Sequence, residues 1–171
     1  MDRILKLIKP IYILVFFLLI SLNAFAGDYH NYKKPEDVVA SIYRDFAFEA
    51  IMQDYWRNAS LIDQPKKILL LYFTNELASL IIKDRQNQIK TRELGRLDFN
   101  LIFDSQDPGA MDLQISPVDK SNIVKVQFRY PGNGEQICLA YKVVSTSQGW
   151  RIKDIIYKNS GSLLKLLSNQ N

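Results

Sequence analysis

The sequence contains one histidine and one cysteine, and this scarcity excludes several kinds of site. His30 alone cannot supply a Ser-His-Asp triad, a Cys-His pair or a histidine-based metal site. Cys138 cannot form an internal disulfide, and because it falls within a predicted strand we expect a buried small hydrophobe rather than a reactive thiol. A glycine-rich phosphate loop is also missing, since Pro131–Gly134 has the composition of a hairpin turn with no helix after it. We therefore predict no cofactor.

The first 26 residues have the three parts of a secretory signal peptide. Basic residues are followed by an apolar run, Ile11–Leu22, and by the small-residue cleavage site Ala24-Phe25-Ala26. We predict cleavage after Ala26 and a periplasmic or secreted protein. Retention of the run as an uncleaved membrane anchor is the alternative, although the run is shorter than the roughly 18–20 residues of a spanning helix.

The charge of the remaining chain is nearly balanced. Removing three basic residues and one acidic residue with the signal peptide lowers the formal net charge from +4 to +2. So small an excess does not predict a nucleic-acid partner. The 171-residue chain less this 26-residue segment has the length of one domain with a single core.

Three consecutive antiparallel strands are predicted within Ile123–Tyr157. Apolar residues alternate with polar ones before the Pro131–Gly134 turn and again after it, which is the two-residue period of a half-buried strand. After a second turn, strict alternation places Trp150, Ile152 and Asp154 on one face. The short connections exclude parallel pairing.

Helices are predicted before and after these strands in the chain. Pro35 suits the first turn of a helix, a second helix begins near Pro65, and Thr74 caps a third. A short leucine-rich helix follows Ser160-Gly161-Ser162 near the C-terminus. We predict an α+β domain over residues 35–168, with N-terminal helices on an antiparallel sheet, preceded by a flexible lead over residues 27–34.

This order of elements resembles the nuclear-transport-factor-2-like fold. The resemblance lies in the helices followed by a long antiparallel meander that ends in Gly149-Trp150-Arg151-Ile152-Lys153-Asp154-Ile155. It implies a cone of helices against a curved antiparallel sheet. A fold by itself implies no function.

Three further sets of segments carry a narrower resemblance: Tyr72-Phe73-Thr74-Asn75-Glu76-Leu77, Leu97-Asp98-Phe99-Asn100 with Asp104-Ser105-Gln106-Asp107-Pro108, and Trp150-Arg151-Ile152 with Gly161-Ser162-Leu163. They are similar to segments of a family of exported bacterial proteins, domain of unknown function 3828. The resemblance spans about Pro35 to Leu167 and implies export, without catalytic residues to transfer. Members often carry a lipoprotein cysteine at the cleavage site, which this chain lacks.

Basic residues recur on the polar side of the predicted sheet. A patch of positive charge favours an anionic partner, either an acidic envelope protein or an envelope polymer. It therefore predicts a non-catalytic interaction domain. An inhibitor or immunity-like protein is a more specific form of this hypothesis. The alternative is a solvated face kept charged against edge pairing. The candidate binding residues are Lys125, Arg129, Lys142, Arg151 and Lys153.

Two further hypotheses use other parts of the sheet. A small-ligand carrier or isomerase-like enzyme would use the pocket between helices and sheet, with Asp154 as a desolvated general base and the hydroxyls of Tyr130 and Tyr141 as donors. A homodimer would instead pair the outer face through Ile155, Tyr157 and Val144.

An irregular stretch between the helices and the meander is rich in oxygen ligands. Asp98, Asn100, Asp104 and Asp107 are the candidates for a hard cation such as calcium. Their spacing is not that of an EF-hand loop, and Asp and Asn are ordinary turn residues. We therefore favour turn chemistry for this stretch.

Overall fold

The computed structural model of the chain describes residues 31–50 and 60–169. The described residues from Tyr32 onwards belong to one compact unit. The predicted signal peptide lies outside the described residues. Among the helices that are described, none is long and apolar enough to cross a membrane.

Helix α1, Pro35–Phe46, begins where the sequence predicts. Pro35 occupies the first turn, and the Asp37 carboxylate accepts a hydrogen bond from the backbone N–H of Lys34, which closes the helix start. The apolar stripe that includes Val39 and Ile42 is buried against the sheet. A short 3-10 turn, Ala47–Ala50, follows directly.

The other helices also match their sequence signals. A 3-10 turn at Leu61–Asp63 precedes α2, Lys66–Tyr72, and α3 spans Asn75–Thr91. The Thr74 hydroxyl accepts a hydrogen bond from the backbone N–H of Leu77, so the predicted cap of α3 is confirmed.

The strands form one five-stranded antiparallel sheet in the order β1-β2-β3-β4-β5. Every strand pairs with its neighbour in the chain, as short connections require. The prediction of an α+β fold with an antiparallel sheet and a short C-terminal helix is therefore confirmed. The bounds are β1 Met111–Ile115, β2 Ile123–Arg129, β3 Gln136–Thr146, β4 Gly149–Tyr157 and β5 Gly161–Ser162, followed by α4, Leu163–Ser168.

A bulge in β4 reverses the side-chain alternation that the sequence suggests. Val143 pairs with Ile152 but Lys142 pairs with Asp154, so Lys153 is an extra residue in β4. One inserted residue moves everything after it to the opposite face. Ile155 and Tyr157 are therefore in the core, not on the outer face. The predicted dimer surface loses two of its three apolar residues.

The free edge of β4 is covered by segments from the N-terminal half. The backbone N–H of Thr74 donates to the Ile152 carbonyl over 3.0 Å, and the N–H of Trp150 donates to the Tyr32 carbonyl over 3.0 Å. Tyr32 is also only 5% exposed. Tyr32 lies within the predicted lead over residues 27–34, and its carbonyl satisfies a backbone N–H at the edge of β4.

The core lies between α1 and the inner face of the sheet. Aromatic rings meet there edge to face: Phe103 contacts Tyr43 with ring centroids 6.0 Å apart and Phe128 at 5.9 Å. The loop before β1 supplies Phe103 and two further buried residues, Leu101 and Ile102. The irregular stretch therefore contributes to the core.

Candidate binding groove

Four of the five predicted binding residues lie exposed on or beside the outer face of the sheet, the face that carries Lys125, Gln127 and Lys142. Lys125 on β2 stands opposite Ala140, and Lys142 on β3 stands opposite Ile123, so the two lysines are diagonal neighbours. Lys153 is exposed at the bulge, and the guanidinium of Arg129 pairs with the Asp112 carboxylate.

Arg151 is the fifth predicted binding residue, and the structure contradicts its assignment. Its side chain is only 6% exposed, and its Nε donates to the Leu70 carbonyl over 2.8 Å. Leu70 lies in the last turn of α2, where carbonyls lack helical partners and attract a cation. The guanidinium also lies 5.8 Å from the centre of the Tyr32 ring, and burial lowers the pKa of Arg151. Arg151 therefore fastens α2 to β4 and does not offer its charge to a partner.

A surface groove of about 770 Å³ opens beside the bulge. Three lysines from three elements line it: Lys142 from β3, Lys153 from β4 and Lys165 from α4. The sequence pattern predicted the first two as members of one face but missed Lys165. That residue lies among the leucines of the last helix, and no sequence period indicates that this helix ends beside the bulge.

Asp154 lies in the wall of this groove and serves the C-terminal helix. It is 4% exposed; its Oδ2 accepts from the Ser162 hydroxyl over 2.8 Å, and its Oδ1 accepts from the Leu164 backbone N–H over 2.9 Å. The Ser162 hydroxyl in turn accepts from the backbone N–H of Lys165 over 3.1 Å. A carboxylate and a hydroxyl thus satisfy the free N–H groups at the start of α4.

Tyr141 lies on the other face of the sheet from Asp154. Its hydroxyl is 2.9 Å from that of Tyr43, which donates to the Ile102 carbonyl over 2.6 Å. Nearby, the Tyr157 hydroxyl donates to the Leu101 carbonyl over 3.1 Å. Burial raises the pKa of all three tyrosines, so the hydroxyls stay protonated. Those of Tyr43 and Tyr157 hold the loop before β1 as hydrogen-bond donors.

Tyr130 does not complete a catalytic set either. It lies half-buried at the end of β2, where its backbone N–H donates to the Glu135 carbonyl and its ring crowds Gly132. The structure therefore does not place Asp154 beside Tyr141 as the enzyme hypothesis requires. Strict alternation along β4 suggested that arrangement, and the bulge at Lys153 removes it.

The oxygen-rich stretch has the hydrogen bonds of a turn. The Asn100 side-chain oxygen accepts from the backbone N–H of Ile102, and the Asn100 carbonyl accepts from that of Asp104. Asp98 accepts from the Gln106 amide, and the backbone N–H of Asp107 donates to a serine hydroxyl. Across residues 31–50 and 60–169, no group of three or more His, Cys, Asp or Glu could hold a metal ion. Turn chemistry accounts for these hydrogen bonds.

Cys138 is exposed, so the prediction of a buried thiol is wrong. It stands opposite Gln127 on the outer face, with 3.9 Å between the glutamine amide nitrogen and the sulfur. The same alternation that buries Leu139 turns its neighbour to solvent, because the sheet has only one covered face at this position.

Comparison with known proteins gives no match: no family model, no curated protein and no solved structure is similar to the chain. The resemblances stated from the sequence therefore stay predictions. Function is inferred here from the charge and geometry of the outer face and of the groove.

Proposed function

We propose that the protein is an exported, non-catalytic binding domain of the cell envelope that binds an anionic envelope component through the outer face and the groove. One observation carries this proposal. Within residues 31–50 and 60–169, the ammonium groups of Lys125, Lys142, Lys153 and Lys165 make no ion pair and no side-chain hydrogen bond. Unpaired charges of one sign on one surface attract a partner of the opposite sign.

The position of these lysines favours binding over protection against edge pairing. Charges that prevent aggregation of a sheet belong on its edge strands, which here are β1 and β5. Lys125 and Lys142 instead lie on β2 and β3, each of which has a strand on both sides. A face that is only solvated does not need positive charges gathered at a groove, whereas a site that recognises an anion does.

Export is proposed on the basic, apolar and small-residue parts of residues 1–26. We further propose the nuclear-transport-factor-2-like architecture and membership of the domain of unknown function 3828 family. The support is the order of elements, with N-terminal helices, an antiparallel meander and a short last helix. An envelope compartment fits the inhibitor or immunity-like form of the proposal, in which the anionic component is a protein effector.

Affinity recovery from the source cell's envelope tests the proposed function. The full-length chain is used as bait, beside a variant with Lys142→Gln, Lys153→Gln and Lys165→Gln, and the eluates are compared by native mass spectrometry. We expect an anionic component that the variant recovers far less well. Equal recovery by both chains, or a bait that returns alone, would contradict the proposal.

A further inference from the structure

The groove joins positive charge to an apolar wall. Lys142, Lys153 and Lys165 line it, and so do the half-buried side chains of Ile156, Leu164 and Leu166. A site that bound only a soluble inorganic anion would have no use for apolar contacts. The combination suits an occupant with carboxylates and at least one apolar side chain.

The carboxylate of Asp154 is already used by the fold. Both of its oxygens accept hydrogen bonds from the start of α4, and among the described residues that line the groove it is the only acidic one. One carboxylate cannot balance three ammonium groups, so the groove retains a positive excess. Asp154 fixes the helix that carries Lys165, and it thereby sets the distance between this lysine and the two on the sheet.

The choice of lysine indicates several separate negative charges in the occupant. Arginine would hold one planar carboxylate through two parallel hydrogen bonds, whereas lysine is a point charge on a flexible stem. Three such stems from three different elements can each meet a separate carboxylate. The groove volume of about 770 Å³ lies within the range of small ligand sites, so the occupant is a short segment rather than a whole domain face.

We infer that the groove binds a short acidic segment of a partner protein, in which carboxylates flank an apolar side chain. This inference rests on the proposed function and names the partner chemistry at the same site. An anionic polymer would engage the lysines but would leave Ile156 and the two leucines without a contact, so the apolar wall favours the peptide. Carboxylates would meet the lysines while the apolar side chain lies against that wall.

Fluorescence anisotropy with a short labelled peptide that alternates aspartate and leucine tests the inference on the full-length chain. Two matched peptides replace either aspartate by asparagine or leucine by serine. We expect the acidic, leucine-containing peptide to bind best and its affinity to fall as salt rises. Combining Lys142→Gln, Lys153→Gln and Lys165→Gln should weaken its binding by roughly 10- to 100-fold, since each exposed ion pair contributes up to about fivefold.

The matched control combines Lys67→Gln, Lys83→Gln and Lys90→Gln on α2 and α3, which removes the same charge from exposed sites outside the groove. Its affinity for the peptide should stay close to that of the parent chain. Equal weakening by the two triple variants would contradict the groove assignment, because net charge alone would then explain binding. Circular dichroism spectra of both variants exclude unfolding as the cause.

An anionic polymer probe, polyphosphate, separates failure of this inference from failure of the proposed function. If polyphosphate binds through the groove lysines and the acidic peptide does not, the peptide inference is wrong while binding of an anionic component stands. If neither probe binds, both are wrong. If the serine-containing peptide binds as well as the leucine-containing one, the apolar wall has no role and the inference fails.

Discussion

Replacing Asp154 by alanine should destabilise the protein. The carboxylate is buried and accepts hydrogen bonds from the Ser162 hydroxyl and from the backbone N–H of Leu164. A hydrogen bond to a charged group contributes about 1.5–3 kcal/mol. Because Ser162 and Leu164 are only half-buried, water can replace part of this loss, and we expect the free energy of unfolding to fall by about 3 kcal/mol.

That loss is large beside a typical total stability of about 5–15 kcal/mol. For a domain of this size it corresponds to a fall in Tm of about 10 °C. Asp154→Asn should cost only about 1 kcal/mol, since an amide oxygen can still accept from Leu164 and the amide nitrogen can donate to the Ser162 oxygen. Urea unfolding followed by circular dichroism gives the three free energies on one scale.

Asp107→Ala is the matched control, because it removes an exposed carboxylate from a loop. Its effect on the free energy of unfolding should stay within about 0.5 kcal/mol. The assignment of Asp154 to the start of α4 would be refuted if Asp154→Ala unfolded at the same urea concentration as the parent. Equal losses for the alanine and asparagine variants would also contradict it, because the hydrogen-bonding ability of asparagine would then be irrelevant.

Three further predictions follow from other residues. Arg151→Ala should lower the free energy of unfolding by about 2 kcal/mol in urea unfolding, because the Leu70 carbonyl loses a charged donor; no loss would contradict this role. Asp104→Asn should stabilise the protein at pH 7. Burial raises the pKa of this carboxyl in the folded state, so its protonated form favours folding. The stability that the protonated carboxyl contributes is fully present below the ordinary pKa of 3.8 and is lost as pH rises through the folded pKa. The stability difference between this variant and the parent, measured by thermal unfolding from pH 3 to pH 7, should therefore grow with pH; a constant difference would refute the argument. Cys138 should react with a thiol reagent in the native protein at a rate close to that in urea, and protection until unfolding would contradict its exposure.

The sequence was sufficient to predict those helices and strands whose signals lie within a few neighbouring residues. The helix that starts at Pro35, the cap at Thr74 and the three long strands all lie where propensity, capping and alternation place them. These features depend on residues within a few positions of one another in the chain. The α+β class follows from their order, and the polar side of the strands was predicted with Lys125 and Lys142 on it.

The tertiary structure decided which side chains share a surface. The extra residue at Lys153 moves the side chains that follow it in β4 to the opposite face of the sheet. Nothing in the composition of β4 marks a bulge. Alternation therefore predicts Asp154 in the core pocket, whereas it lies at the start of α4. Arg151 is buried because the last turn of α2 ends beside it, and Lys165 joins the groove because α4 docks there. Each of these outcomes depends on contacts between residues far apart in the chain, and register and docking geometry leave no period in the sequence. Local chemistry thus determined the elements, whereas long-range packing determined the site.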